Sequence, residues 1–375
     1  MCLNDFVITD KQDRKNKSED KHVPGRVNNE GKPVTIYDIA REAGVSASTV
    51  SRALNGSNRV SAGTKRRIMD LVERYNFRPN ALAQGLAEAR SRLIGIVVAD
   101  IRNPYYAELF FYCEKAAQEA GYIVVVFNQP KGGGMAEQIR MLEKMLTLQM
   151  EAVILIDGMV SRLVSDVEYV DEVNRIMDYM PVIISGKLDG TRCRVVRVDH
   201  IKSIEVLMEH LISLGHRDIA LLGGYMDILG TYEKAVHYRQ ILRRNGILYR
   251  PNLISEQGDY DGDGGYKLMN QMLDAGVSMT AVIAVNDMVA TGVVKCLNER
   301  GYRIPEDISV VGCDNTLAGM ITPRLTSVGY DYEEMGRILI ETALSAIRGE
   351  KGEMLRMIEP VLMPGGSTGR APEVR

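Results

Sequence analysis

The chain has 375 residues, of which 45% are hydrophobic and 25% charged, with a formal net charge of −3 at pH 7. These values indicate a globular, soluble protein, and they exclude a membrane-spanning chain because no apolar run approaches ~18 residues. The five cysteines are odd in number and form no Cys-x-x-Cys pair, so we expect free thiols, no metal site and no cofactor. The first residues lack a secretory signal, which predicts a cytoplasmic protein.

Charge is distributed unevenly along the chain. Residues 34–90 contain nine Lys/Arg and five Asp/Glu, whereas residues 91–375 contain 30 and 38. A basic head on an acidic body is typical of a DNA-binding domain joined to a regulatory domain. Residues 1–33 are polar without a sustained period, so we predict a disordered extension whose cations contact DNA non-specifically or are simply solvated.

Two short helices around a glycine turn are predicted between residues 34 and 55. Thr35 is placed to cap the first helix, with Asp38 closing a capping box. Gly44 suits the left-handed position that ends this helix. Ser46 is placed to cap the second helix, which buries Val50 on one side.

The other side of the second helix carries Ala47, Ser48, Ser51 and Arg52. Short polar side chains permit close approach to a major groove, and an arginine can form paired hydrogen bonds with a guanine edge. The alternative is an ordinary helical hairpin with a solvated face.

A third helix is predicted to begin after Ser61, and Arg59 and Lys65 are placed to contact phosphates. Pro79 ends that helix, and residues 79–92 follow as a linker. A helix of about six residues after Asn80 would be marginal alone, so this segment either folds on contact with DNA or remains a plain linker.

The segment 34–55 closely resembles the helix-turn-helix of the lactose-repressor/galactose-repressor (LacI–GalR) family. It carries the pattern Thr-Ile-x-Asp-Ile-Ala-x-x-Ala-Gly-Val-Ser-x-x-Thr-Val-Ser-Arg-x-Leu-Asn. The resemblance implies an all-α headpiece at 34–78 and a hinge helix and linker at 79–92, in which Leu86 wedges into the minor groove. The DNA contacts implied by the pattern and the resemblance are Thr35, Tyr37, Ser46, Ala47, Ser48, Thr49, Ser51, Arg52, Asn55, Arg59, Ser61, Lys65, Asn80, Ala83 and Leu86.

From residue 93 onward, strand-like apolar runs alternate with amphipathic helical stretches. This alternation predicts parallel sheets with right-handed crossovers, and about 280 residues favour two α/β lobes. The predicted strands are 94–99, 123–127, 152–156, 182–184, 219–222, 281–285 and 308–311. The predicted helices are 106–120, 137–148, 201–214, 234–245, 265–275 and 288–300.

Residues 93–375 resemble the two-lobed periplasmic-binding-protein type I fold that this family uses for effectors. Markers include Asn103-Pro104-Tyr105-Tyr106, Asn286-Asp287 and Val311-Gly312-Cys313-Asp314. The resemblance implies three crossings between the lobes. We place lobe one at about 93–189 and 319–352, and lobe two at about 190–318 and 353–375.

Ligands of open α/β sheets bind at the carboxyl ends of strands. Polar residues that follow the predicted strands suit a hydroxyl-rich ligand, although any one of them can instead cap a helix or form a turn. The predicted effector contacts are Asn103, Tyr106, Lys187, Lys234, Tyr260, Asn286, Asp287 and Asp314, with Asn286 and Asp314 the firmest by resemblance.

The chain departs from the family pattern at Lys234 and His237, where Arg-x-x-Gly is usual. Lysine cannot form the paired hydrogen bonds of arginine, so the ligand cannot be copied from a relative. Two lysines facing one cleft, Lys187 and Lys234, suggest a sugar acid as one hypothesis.

These features predict a sequence-specific transcriptional regulator, acting as a repressor. It would bind a palindromic operator in double-stranded DNA as a homodimer and be controlled by a carbohydrate-like small molecule, without a membrane partner. Two alternatives are a solute-binding receptor without DNA function, which would need export, and an enzyme, which would need a catalytic cluster or nucleotide fingerprint.

Overall fold

The computed structural model describes residues 34–54, 59–77, 91–129, 134–156, 158–255 and 257–373. The chain divides into two units, Met1–Ala89 and Arg90–Arg375. No helix in these described ranges is both long and apolar enough to cross a bilayer.

The N-terminal unit contains helices α1 (Ile36–Ala43), α2 (Ala47–Leu54) and α3 (Ala62–Arg74). The predicted caps are present. Thr35 and Asp38 form the capping box, and Gly44 has a φ of 65°. The Ser46 hydroxyl accepts from the Thr49 amide at 3.3 Å, and Ser61 caps α3. The three helices share a core of Ile39, Ala40, Ala43, Val50, Ala53, Ile68 and Leu71.

The C-terminal unit alternates strands and helices around two sheets. Its strands are β1 (Leu93–Val98), β2 (Ile123–Asn128), β3 (Ala152–Ile156), β4 (Val182–Ser185), β5 (Arg194–Val198), β6 (Ile219–Leu222), β7 (Ala281–Ala284), β8 (Ser309–Asp314), β9 (Thr326–Gly329), β10 (Leu355–Ile358) and β11 (Val361–Met363). Its helices are α4 (Pro104–Glu119), α5 (Met135–Thr147), α6 (Val167–Met177), α7 (His200–Ser213), α8 (Leu229–Arg244), α9 (Gly262–Asp274), α10 (Asp287–Glu299) and α11 (Tyr332–Ile347).

Each sheet is the centre of one lobe. The first sheet has the strand order β10-β5-β4-β3-β1-β2 and is parallel throughout. The second has the order β11-β9-β8-β7-β6, with only β11 antiparallel. The predicted fold class, a helical headpiece with a two-lobed α/β domain, is therefore confirmed.

The chain crosses between the sheets three times, but later than the boundaries predicted near residues 190, 319 and 353. β5 pairs with β4 in the first sheet, β9 pairs with β8 in the second, and β10 returns to the first. A strand belongs to the sheet that satisfies its backbone hydrogen bonds, so the crossings follow Val198, Gly329 and Ile358. These three strands are short or contain arginine, and none forms the apolar run on which the sequence prediction relied.

Candidate DNA-binding face and ligand cleft

The first turn of α2 presents a group of hydroxyls. Ser46 and Ser48 are exposed, and their Oγ atoms lie 2.8 Å apart. Ser46 Oγ also lies 2.9 Å from Thr49 Oγ1. Ala47, Thr49 and Ser51 are half-buried beside them. The helix therefore offers a low, polar surface that a DNA backbone or base edge can approach closely.

Arg52 lies in the last turn of α2 and is exposed. No described residue forms an ion pair with it. By contrast, Arg74 of α3 pairs with Glu42 at 3.1 Å and is committed to joining α1 to α3. An exposed, uncommitted guanidinium on α2 is available for a base edge or a phosphate.

The remaining predicted DNA contacts are spread over the surface of the headpiece. Thr35 and Tyr37 are exposed at the start of α1, and Tyr37 retains 70% of its accessible surface. Arg59, Ser61 and Lys65 are exposed around the start of α3. Asn55, Asn80, Ala83 and Leu86 lie outside the described residues.

In the second lobe, Lys234 is a buried cation on α8. Its ammonium donates to the carbonyl oxygen of Val285, 3.0 Å away at the carboxyl end of β7. The Cys313 thiol also lies within hydrogen-bonding reach of this ammonium, so at least one of its three donors remains for another acceptor. The positive charge of Lys234 also acts on Asp314, at the carboxyl end of β8, and favours the ionised form of that carboxyl.

Two neighbouring aspartates at this edge have different surroundings. Asp287 is buried, and its carboxylate accepts from the Ser327 hydroxyl at 2.7 Å and the Leu317 amide at 3.0 Å. Asp314 has no side-chain hydrogen bond among the described residues, and its φ of 93° is unusual for a residue with a side chain. The Asp287 carboxylate is therefore part of the hydrogen-bonded fold, whereas the Asp314 carboxyl stays a predicted ligand contact.

Burial and the nearby Asp287 carboxyl raise the pKa of Asp314 to about 7, against a smaller opposing effect of Lys234. A carboxyl whose folded-state pKa is raised destabilises the fold progressively as pH rises from about 4 to about 7. We expect Asp314→Asn to be as stable as the parent near pH 4 and more stable above pH 7, by up to roughly 4 kcal/mol. Denaturant unfolding of both proteins between pH 4 and 8 measures this, and parallel pH profiles would contradict it.

A hydrogen bond joins Asn286 to Tyr260 at the predicted ligand edge. The Asn286 side chain caps α10 by accepting from the Val289 amide at 2.8 Å, and it donates to the Tyr260 carbonyl oxygen at 3.0 Å. The Tyr260 hydroxyl lies 2.7 Å from Thr231 Oγ1, on the first turn of α8. Asn286 thus has a structural role at the predicted ligand edge, and one amide hydrogen remains for a ligand.

In the first lobe, Asn103 follows β1 and caps α4 through a 3.1 Å bond from the Tyr105 amide. Tyr106 is buried, and its ring meets Tyr105 edge-on with centroids 5.1 Å apart. Tyr105 in turn contacts Tyr332 of α11, whose hydroxyl donates to the Asp314 carbonyl oxygen at 2.9 Å. The tyrosines therefore connect the first lobe to the end of β8.

Lys187 has partners of its own in the first lobe. It follows β4 in the first lobe, where its ammonium lies 2.8 Å from Asp189 and 3.4 Å from the Leu163 carbonyl oxygen. His237, the other departure from the family pattern, is half-buried and lies 3.0 Å from the Glu233 carbonyl oxygen within its own helix. The Lys187 ammonium is therefore paired with a carboxylate beside it, and its joint action with Lys234 on a ligand anion stays a prediction.

Sequence reasoning missed His200, which begins α7 just after the first crossing. Burial and the neighbouring Lys234 and Arg197 lower the pKa of His200 well below its ordinary value, so the ring is neutral. Its Nδ1 atom is buried without a described partner. The only sequence signal was its position directly after Asp199, which caps the helix.

Two family models match separate parts of the chain. Residues 35–80 match the model for bacterial regulatory proteins of the lacI family, and residues 208–368 match that for a periplasmic binding protein-like domain. Catabolite control protein A of Priestia megaterium is 32% identical over 308 residues, covering 81% of this chain and 90% of that protein. The lactose operon repressor of Escherichia coli is 29% identical over 347 residues, covering 92% and 93%.

Solved structures of related regulators have a similar fold. The lac repressor dimer bound to operator and the anti-inducer ONPF superposes with a TM-score of 0.81 at 27% identity, covering 90% of this chain and all of that one. A complex of the transcriptional regulator CelR with cellobiose gives a TM-score of 0.65 at 28% identity, covering 89% and 99%. The chain belongs to the lacI family of bacterial regulatory proteins and is a DNA-binding transcriptional regulator.

Proposed function

We propose that this regulator represses transcription by binding a palindromic operator as a homodimer, with α2 of each copy in a major groove. The observation that carries the proposal is the surface of α2, where short hydroxyl side chains at the first turn share one helix with the exposed Arg52, which has no ion-pair partner among the described residues. Two-fold dimers of helix-turn-helix proteins read inverted half-sites about one helical turn apart.

A second copy of the chain is the proposed partner of the C-terminal unit. Phe111 of α4 and Ile123 of the edge strand β2 keep 59% and 56% of their accessible surface. Large apolar side chains exposed beside an unpaired strand edge favour an interface. The related lac repressor was solved as a dimer on its operator.

The proposed effector is a small, uncharged ligand rich in hydroxyl groups, bound between the lobes. The Asp314 carboxyl experiences the charges of both Lys234 and Asp287. A ligand anion bound by Lys234 would therefore add a further negative charge close to Asp314. A sugar hydroxyl can accept a hydrogen bond from Lys234 and donate one to Asp314 without adding negative charge. This charge balance favours a neutral sugar over the sugar acid suggested by the sequence, and CelR was solved with cellobiose.

Selection of bound duplexes from a random-sequence pool by the full-length protein tests the DNA proposal. We expect enrichment of an inverted repeat, because two symmetric copies present two copies of α2. The same selection with a variant in which α2 carries Ser48→Glu and Arg52→Glu serves as the control. Enrichment of a single unrepeated motif would contradict the dimer, and no enrichment above that control would contradict sequence-specific binding.

A further inference from the structure

A main-chain bridge joins the two lobes. The Leu163 amide donates to the Asp227 carbonyl oxygen at 2.7 Å, and Arg162 and Ile228 form an antiparallel bridge pair. The first strand of this bridge follows the short 3-10 turn Gly158–Ser161 after β3, in the first lobe. The second lies between β6 and α8, in the second lobe.

The bridge meets the second lobe between β6 and α8, and β6 is an edge strand of the second sheet. The first crossing also reaches this sheet at β6, by way of α7, whereas the other two leave and re-enter the sheet at β9 and β11. Asp314 at the end of β8 and Asn286 after β7 lie between β6 and β9 in strand order. The polar edge of the second lobe therefore lies between the bridge beside β6 and the two crossings at β9 and β11.

Lys187 holds the first-lobe half of this bridge. Its ammonium donates to the Leu163 carbonyl oxygen at 3.4 Å while pairing with Asp189 at 2.8 Å. Its own amide donates to the Val160 carbonyl oxygen at 2.6 Å. A Cβ at the preceding Gly186 would clash with that carbonyl, so only glycine allows this close approach.

We propose that the pairing of residues 162–163 with 227–228 is a latch that holds the lobes together without ligand, and that Lys187 is its positioning residue. Ile228 directly precedes α8, which carries Thr231 and Lys234, so the latch ends where the ligand-facing helix begins. In this proposal, the pairing of residues 162–163 with 227–228 must break before a ligand enters between the lobes. The proposal rests on the ligand cleft proposed above and reassigns Lys187 from ligand contact to latch.

Hydrogen exchange of the full-length protein, without DNA or ligand, tests the latch. Lys187→Met removes both contacts of the ammonium. Lys202→Met is the matched control because, among the described residues, the ion pair of Lys202 is with Glu205 on the surface of α7. We expect Lys187→Met to speed exchange about tenfold in peptides covering 159–165 and also in those covering 226–232. Unchanged exchange relative to Lys202→Met, or a change confined to 159–165, would overturn the proposal.

A disulfide across the bridge distinguishes breakage of the latch from a general loss of stability caused by Lys187→Met. Arg162 and Ile228 form a non-hydrogen-bonded antiparallel pair, whose Cα separation of about 4.5 Å suits a disulfide. We expect oxidised Arg162→Cys/Ile228→Cys to restore slow exchange at 226–232 in the Lys187→Met background, and reduction to reverse this. Fast exchange that persists after oxidation would overturn the latch. Because neither DNA nor ligand is used, such a failure leaves the proposed DNA function untouched.

Discussion

Arg52→Ala is expected to weaken binding to the selected operator by about 1–3 kcal/mol, or roughly 5–150-fold, while binding to random duplexes changes little. Arg52 is exposed on α2 and has no ion-pair partner among the described residues, so its removal leaves the headpiece core intact. A guanidinium that reads a base contributes to the difference between sequences rather than to affinity for all DNA.

Lys65→Ala is the matched control for Arg52→Ala, because Lys65 is exposed near the start of α3 and is predicted to contact phosphate. This substitution should weaken binding to selected and random duplexes alike. It should also lower the slope of log K against log salt concentration by about one. Fluorescence anisotropy at several salt concentrations measures both variants. Equal weakening of both kinds of duplex by Arg52→Ala would contradict its role in base recognition.

Asp287→Ala is expected to lower the free energy of unfolding by about 3 kcal/mol. It leaves the Ser327 hydroxyl and the Leu317 amide buried without their acceptor, and each such group costs about 1–3 kcal/mol. The Asp287 carboxylate also lies directly over Gly312. The groups around it are therefore closely packed, and they have little room to rearrange and restore the lost hydrogen bonds.

Asp314→Ala provides the matched comparison for Asp287→Ala at the end of the adjacent strand. Because no described residue hydrogen-bonds to the Asp314 carboxyl, we expect its removal to leave stability at pH 7.5 unchanged or increased. Urea unfolding of the two variants measures the contrast. Equal destabilisation by both substitutions would show that the two carboxyls do not divide into a structural and a ligand-facing group.

The local features of the headpiece were predictable because their causes lie within a few residues. The capping box of Thr35 and Asp38, the left-handed Gly44 and the cap at Ser61 each depend on neighbours three or four positions away. The family resemblance then supplied the order of the lobes. Seven apolar strands were also visible, since a buried parallel strand is a continuous apolar run.

The parts that sequence reasoning missed depend on contacts between distant residues. β5 contains two arginines, and its place in the first sheet is fixed by pairing with β4 and β10. The contrast between Asp287 and Asp314 arises from Ser327, 40 residues beyond Asp287 in the chain. The proposed role of Lys187 likewise depends on its contact with Leu163, which no sequence motif connects to it.

Ligand affinity measured with and without operator tests the central claim, that one molecule couples a DNA-binding headpiece to a ligand cleft. A neutral sugar that raises the melting temperature supplies the ligand, since saturation at ~100 times its Kd adds ~2.7 kcal/mol. Titration calorimetry should then show that operator DNA changes the ligand Kd by the same factor by which ligand changes the operator Kd, typically ~5–150-fold. A ligand Kd that operator DNA leaves unchanged would contradict the account.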